Sequence, residues 1–218
     1  MLNHFILIGD KSEKKQTQKL FNLHFFASSI DMDSVDSLIK ELKIADINFL
    51  MSLKKLKPKF VTKQIQKDVN HIAWIVGHCV THMDSYLSYH NGKRVFSLKE
   101  REYYAYGVSK DQIIEYPYSF QSLIDNYLEI SSEYFQILEE LPVEEFNQKP
   151  HEEQREVLSD IIHRLSFHIM GHTGQIVLIR RMFDNPYWGF VGGVSKAQRE
   201  ELRRDWLTWW NEVKTEFP

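Results

Sequence analysis

Apolar residues recur along most of this chain every three or four positions, the spacing of one face of an α-helix. Val35, Leu38, Ile39, Leu42, Ala45, Phe49, Leu53 and Leu56 trace a first stripe, with N-cap candidates at residues 31–34 and a stop before Pro58. A second helix is predicted over about residues 69–89, ending at Asn91-Gly92. Phe120, Leu123, Ile124, Tyr127, Tyr134, Leu138 and Leu141 mark a third, closed by Pro142. A fourth covers about residues 156–183 and ends at Asn185-Pro186, with Arg180 and Arg181 in a last turn where cations suit the helix dipole. Ser195 and Gln198 have capping-box spacing and open a fifth, lined by Leu202, Trp206, Trp209 and Val213. The pattern predicts an all-α protein: a four-helix bundle over residues 31–218 with an extra aromatic C-terminal helix packed outside it.

Other stretches break the period. Residues 1–30 form an N-terminal extension, in which residues 5–8 are compatible with a short strand and the apolar residues 20–26 with a cover for the core or for a partner subunit. Residues 93–118 hold Tyr103, Tyr104, Tyr106, Tyr116 and Tyr118 and a short helix near residues 97–106. They read as a candidate lid over a pocket, or more simply as loop packing. Trp188 and the glycines after it make an aromatic turn.

Composition narrows the function. A formal net charge of −3 and the lack of a long basic cluster argue against nucleic acid as a partner. The short run from Lys54 to Lys59 reads as a solvated helix terminus. A single cysteine, Cys79, excludes an intramolecular disulfide and fits a reducing compartment. No apolar run approaches membrane-spanning length, and residues 5–8 are too short for a signal-peptide core, so a cytoplasmic protein without membrane contact is expected.

Ten histidines are many for this length, and they cluster by pattern. His168 and His172 are four apart on the fourth helix, hence about 40° apart around its axis and one turn apart along it. Gln175 follows on the same side. Two imidazoles so placed can share a metal ion, although this spacing alone is common and lacks the glutamate of the zinc-protease signature. A third ligand must come from another helix. The second helix carries Trp74, His78 and His82 one turn apart, so His78 is the inward candidate, with His82 one turn on. Gly77 and Gly171 precede His78 and His172 and would let the backbones approach. Cys79 is about 100° around the helix from His78, which favours an all-histidine set over a mixed one. His163 points elsewhere, and His71 lies about 20° from His82 in projection but three turns away along the axis. The residues themselves leave open a metal site or core histidines hydrogen-bonded to one another.

The pattern Asn70-x-x-x-Trp74-x-x-x-His78, followed some ninety residues later by His168-x-x-x-His172-x-x-Gln175, resembles the DinB/YfiT-like superfamily. The resemblance covers roughly residues 31–183. It implies a bundle with up-down-down-up connectivity and a metal triad of His78, His168 and His172, with His82, Gln175 and Trp74 around it. It also implies a divalent ion, zinc foremost with nickel or iron as alternatives. Members of that superfamily include thiol-dependent transferases and isomerases. The implied reading is a homodimeric enzyme in which the ion activates a low-molecular-weight thiol for transfer to a small-molecule electrophile. A metal-dependent hydrolase and a non-catalytic metal-binding dimer are the alternatives. Asp84 is the nearest acid able to serve a hydrolase, about 120° around the helix from His78.

Overall fold

The computed structural model describes residues 30–67, 69–108, 116–187 and 189–218. The expected extension, with its strand at residues 5–8 and apolar residues 20–26, therefore lies outside the described residues, as does Trp188. Among the described residues the protein is all-helical. The helices are α1 (Met32–Leu53), α2 (Ile72–Asn91), the short α3 (Leu98–Glu102), α4 (Phe120–Glu140), α5 (Leu158–Met182) and α6 (Lys196–Val213).

Four of the five long helices begin where a side chain satisfies a free backbone N–H, and α5, which follows Val157, begins without one. Asp31 caps α1, Ser119 caps α4, and Ser195 with Gln198 forms the expected capping box on α6. The second helix starts later than its apolar pattern suggests, because His71 itself is the cap: its ring Nδ1 accepts from the Trp74 amide at 3.1 Å. Gly92 ends α2 in the left-handed conformation at φ 70°, which glycine adopts without a Cβ penalty.

The four long helices bury one continuous apolar core, with Leu42, Phe49, Leu50, Ile75, Val76, Tyr127, Tyr134, Ile162 and Ile176 all sealed from solvent. Burial of this kind, about 25 cal/mol per Å² of apolar surface, is what holds helices of modest intrinsic propensity in place. α1 packs chiefly on α5, and α2 on α4. Residue neighbours fix two directions. His78 meets His172 and His82 meets His168, so α2 and α5 run antiparallel. Glu41 pairs with His163 while Ser52 meets Arg180, so α1 and α5 run parallel and end together.

That shared end changes the role of Arg180. It does not decorate its own helix terminus in solvent. Fully buried, it donates to the carbonyls of Ser52, Lys54, Lys55 and Asn185 at 2.5, 2.9, 3.2 and 3.1 Å. These include carbonyls that α1 leaves without a helical partner. The fifth sequence helix, α6, lies across α1 and α4, but its buried face is Trp206 and Trp210, with Trp209 only partly covered. Trp206 donates to the Leu50 carbonyl, Trp210 to Asp125, and Arg203 pairs with Asp46. The C-terminal helix packs against the bundle and contributes Trp206 and Trp210 to its core. Among the described residues no helix is long and apolar enough to cross a membrane.

Candidate metal centre

The histidines of α2 and α5 meet in the space between the two helices. Ring centroids lie 5.0 Å apart for His78 and His168, 4.9 Å for His78 and His172, and 4.6 Å for His168 and His172. His82 joins them, 4.5 Å from His78 and 4.6 Å from His168. Two sets bring one ligand atom per residue within 4.8 Å of one another: His78, His82 and His168, and Cys79, His168 and His172. These differ from the trio implied by the resemblance. His82 replaces His172 in the first, and Cys79 replaces His78 in the second. Cys79 thus comes closer to the cluster than its angle around α2 suggests.

The surrounding hydrogen bonds orient the rings. Nδ1–H of His78 donates to the Tyr104 carbonyl at 2.6 Å, and Nδ1–H of His172 to Gln175 Oε1 at 2.9 Å, which leaves both Nε2 atoms free to ligate. Trp74 stacks on His78 with centroids 4.8 Å apart and planes 11° from parallel, held by its own Nε1–H to the Tyr103 carbonyl at 3.1 Å. His168 Nε2 is buried without a hydrogen-bond partner. A buried polar atom left without a partner is costly, and a metal ion is one way to satisfy it.

Electrostatics fit the same use. Burial, then the imidazoles around it, lowers His168 from 6.5 to about 3, and the same causes with Arg101 and Arg164 lower His82 to about 4. Burial also lowers His78 and His172. All four are neutral near pH 7, the form that ligates metals. The Cys79 thiol is fully buried and pushed far up by that burial, so it stays protonated without a metal. An all-histidine set therefore needs no deprotonation, whereas a set with Cys79 does. The four rings, with an orphaned nitrogen among them, fit a divalent ion.

The tyrosine-rich connection is the part the sequence pattern left undecided. It covers the site. After α3 the chain turns so that Tyr103 and Tyr104 present their carbonyls to Trp74 and His78. The Tyr104 ring is 1% exposed and lies against Gly77, where a Cβ would stand 2.1 Å from a ring carbon. Gly77 is thus glycine to admit Tyr104, not to let α5 approach. Gly171 has no comparable reason: a Cβ there meets nothing within 4 Å, and the same holds for Gly174. Asp84 tethers the start of the connection, its two oxygens accepting from the amides of Val95 and Phe96 at 2.9 and 3.2 Å. It is committed to the loop and not offered to the histidines.

A model of the DinB superfamily matches residues 41–176, well over half the chain. The chain belongs to the DinB superfamily. No curated protein and no solved structure matches it. The matched span contains all four ring histidines, Gln175 and the covering segment, so the candidate metal centre lies within the family domain, while α6 lies beyond it.

Proposed function

We propose that this DinB-superfamily protein is a metal-dependent enzyme that activates a small thiol for transfer to an electrophile. His78, His168 and His172 hold the ion through Nε2, with His82 beside them. Zinc suits neutral imidazoles, and nickel or iron accepts the same donors. The observation that carries the reading is the buried, unpartnered Nε2 of His168 among imidazoles whose other nitrogens are oriented by Tyr104 and Gln175.

A divalent ion at this place would lower the pKa of a coordinated thiol and hold it as thiolate. The chain's own residues set the conditions. Trp74 and the Tyr103–Tyr104 turn shield one side of His78 from water. The charged side chains acting on the rings are Arg101 and Arg164 on His82, and Arg164 on His168. With Asp84 tied to the loop, no acid singled out from the sequence is placed to take a proton from water, which favours a thiol that the ion deprotonates by itself. In the transfer the sulfur bonds to the electrophilic carbon, the leaving group departs with the bonding pair, and the thiol proton passes to solvent.

The test is elemental analysis followed by turnover of a chromogenic alkylating electrophile with and without a panel of cellular thiols. About one divalent ion per chain and thiol-dependent turnover lost in His168→Ala are expected. Turnover independent of every thiol, yet lost in His168→Ala, would defeat the thiol reading in favour of hydrolysis.

A further inference from the structure

The cluster holds one imidazole more than the trio that carries the proposed function, and that ring is held differently from the rest. His82 follows His78 by one turn on α2, with its centroid 4.5 Å from His78 and 4.6 Å from His168. One ring nitrogen from each of His78, His82 and His168 lies within 4.8 Å of the other two. Nitrogens that share an ion at about 2.1 Å stand about 3–4 Å apart, so a small closure of the rings brings His82 into ligation beside its neighbours. Cys79 also comes within 4.8 Å of His168 and His172. To bind an ion it must first expel a proton from a fully buried thiol, which a neutral imidazole need not do.

What separates His82 from the other three is its anchoring. The Tyr104 carbonyl at 2.6 Å and the stacked Trp74 ring hold His78, and Gln175 at 2.9 Å holds His172. His168 has no such bond, but its Nε2 is sealed from water without a partner, so leaving an ion would leave that atom unsatisfied. His82 has neither constraint. Among the described residues it makes no hydrogen bond, its ring is only partly buried, and neither of its nitrogens is sealed without a partner. Its ring contacts are edge-on to His78 at 65° and oblique to His168 at 42°. Metal-bound imidazoles are ordinarily oriented through their second nitrogen, and losing that contact costs roughly 10–100-fold in affinity. An unanchored ring is therefore the one that gives up its place most easily.

We infer that His82 is a fourth, displaceable ligand, which completes the nitrogen set while no reactant is bound and leaves when an outer ligand takes its position. The inference deepens the proposed function and rests on it for the ion and for a thiol as the natural outer ligand. When a thiol enters, its S–H bond breaks, a sulfur–metal bond replaces the bond from His82, and the proton passes to solvent. The resting set also leaves no vacant position for a water nucleophile.

The experiment uses cobalt-loaded protein, whose visible spectrum reports the ligand set. Azide serves as an outer ligand independent of thiol chemistry, and 3-mercaptopropionate as the thiol. Wild type is compared with His82→Ala and with the control His163→Ala, and melting temperature verifies the fold of each. His82→Ala should bind cobalt about tenfold more weakly, yet bind azide and the thiol about tenfold more tightly, because neither has a ring to displace. Imidazole added to His82→Ala should restore the wild-type spectrum, and His163→Ala should match wild type throughout. A ring that merely supports its neighbours would lower the affinities for cobalt and for outer ligands together, or leave both unchanged, and either result overturns the inference. Outright loss of stoichiometric cobalt in His82→Ala overturns it too, since His82 would then be a permanent ligand. Azide behaving as expected while the thiol binds neither protein would uphold His82 and defeat the thiol reading alone.

Discussion

The backbone carbonyl of Tyr104 stands 2.6 Å from Nδ1 of His78, and the same tyrosine's ring fills the space that Gly77 leaves empty. One residue of the covering segment therefore fixes the tautomer of His78 and depends on the absence of a side chain at the position before it. Gly77→Ala would place a methyl 2.1 Å from the Tyr104 ring, so the ring and its carbonyl must move. Alanine is the better helix former, so the fold should persist. Zinc affinity, read by competition with a chelating dye, should fall roughly 10–100-fold, the usual cost of losing an orienting contact. Unchanged affinity would show that the Tyr104 contact does not matter.

The histidines should not contribute equally. His78→Ala and His168→Ala should abolish stoichiometric zinc. His172→Ala should weaken binding more than His82→Ala, because Gln175 orients His172 while no hydrogen bond among the described residues fixes His82. His163→Ala should have no effect, since that side chain points to Glu41. Elemental analysis after dialysis checks all five substitutions, and the reverse order for His172 and His82 would move the site to the His78, His82 and His168 set.

The metal-free protein should lose stability in mild acid. Burial holds His82 near 4 and His168 near 3 in the folded chain, below the 6.5 of free imidazole. Between those values the unfolded chain binds more protons, so stability rises with pH. The contribution is complete above about 6.5 and is lost as pH falls toward 4 and then 3. Urea midpoints of the metal-free protein should decline from pH 7 to pH 4, and the double variant His82→Gln, His168→Gln should decline less. Parallel declines would remove the histidines as the cause.

Arg180→Met tests the junction of α1 and α5. It leaves the carbonyls of Ser52, Lys54 and Lys55 without their buried donor, and should cost about 3 kcal/mol in urea denaturation. Zinc affinity should change little, because position 180 lies about 12 Å along α5 from His172. A large loss of affinity with little loss of stability would contradict this division of labour.

The helices were legible because a period of 3.6 is written directly in their apolar residues, and the ends were legible where a cap is a local signal, as at Ser195 and Gly92. The histidine cluster was legible as two stripes that must face each other in a bundle. The rest depended on contacts that periodicity cannot encode. His71 looks like a helix residue until its ring is seen capping Trp74. Trp210 rather than Trp209 is sealed beside Trp206, because it meets Asp125, Phe120 and Phe217, which lie far from it in the chain or beyond its helix. Tyr104 meets His78 through its backbone, which every residue possesses.

X-ray absorption at the zinc edge, with and without a small thiol, tests the central claim most directly. The account predicts a nitrogen shell near 2.0–2.1 Å and no sulfur in the zinc-loaded protein, then one sulfur near 2.3 Å once 3-mercaptopropionate is added. Sulfur present before any thiol would place Cys79 on the ion, and a four-nitrogen shell that thiol leaves unchanged would make the site closed and structural. Either result would contradict the account.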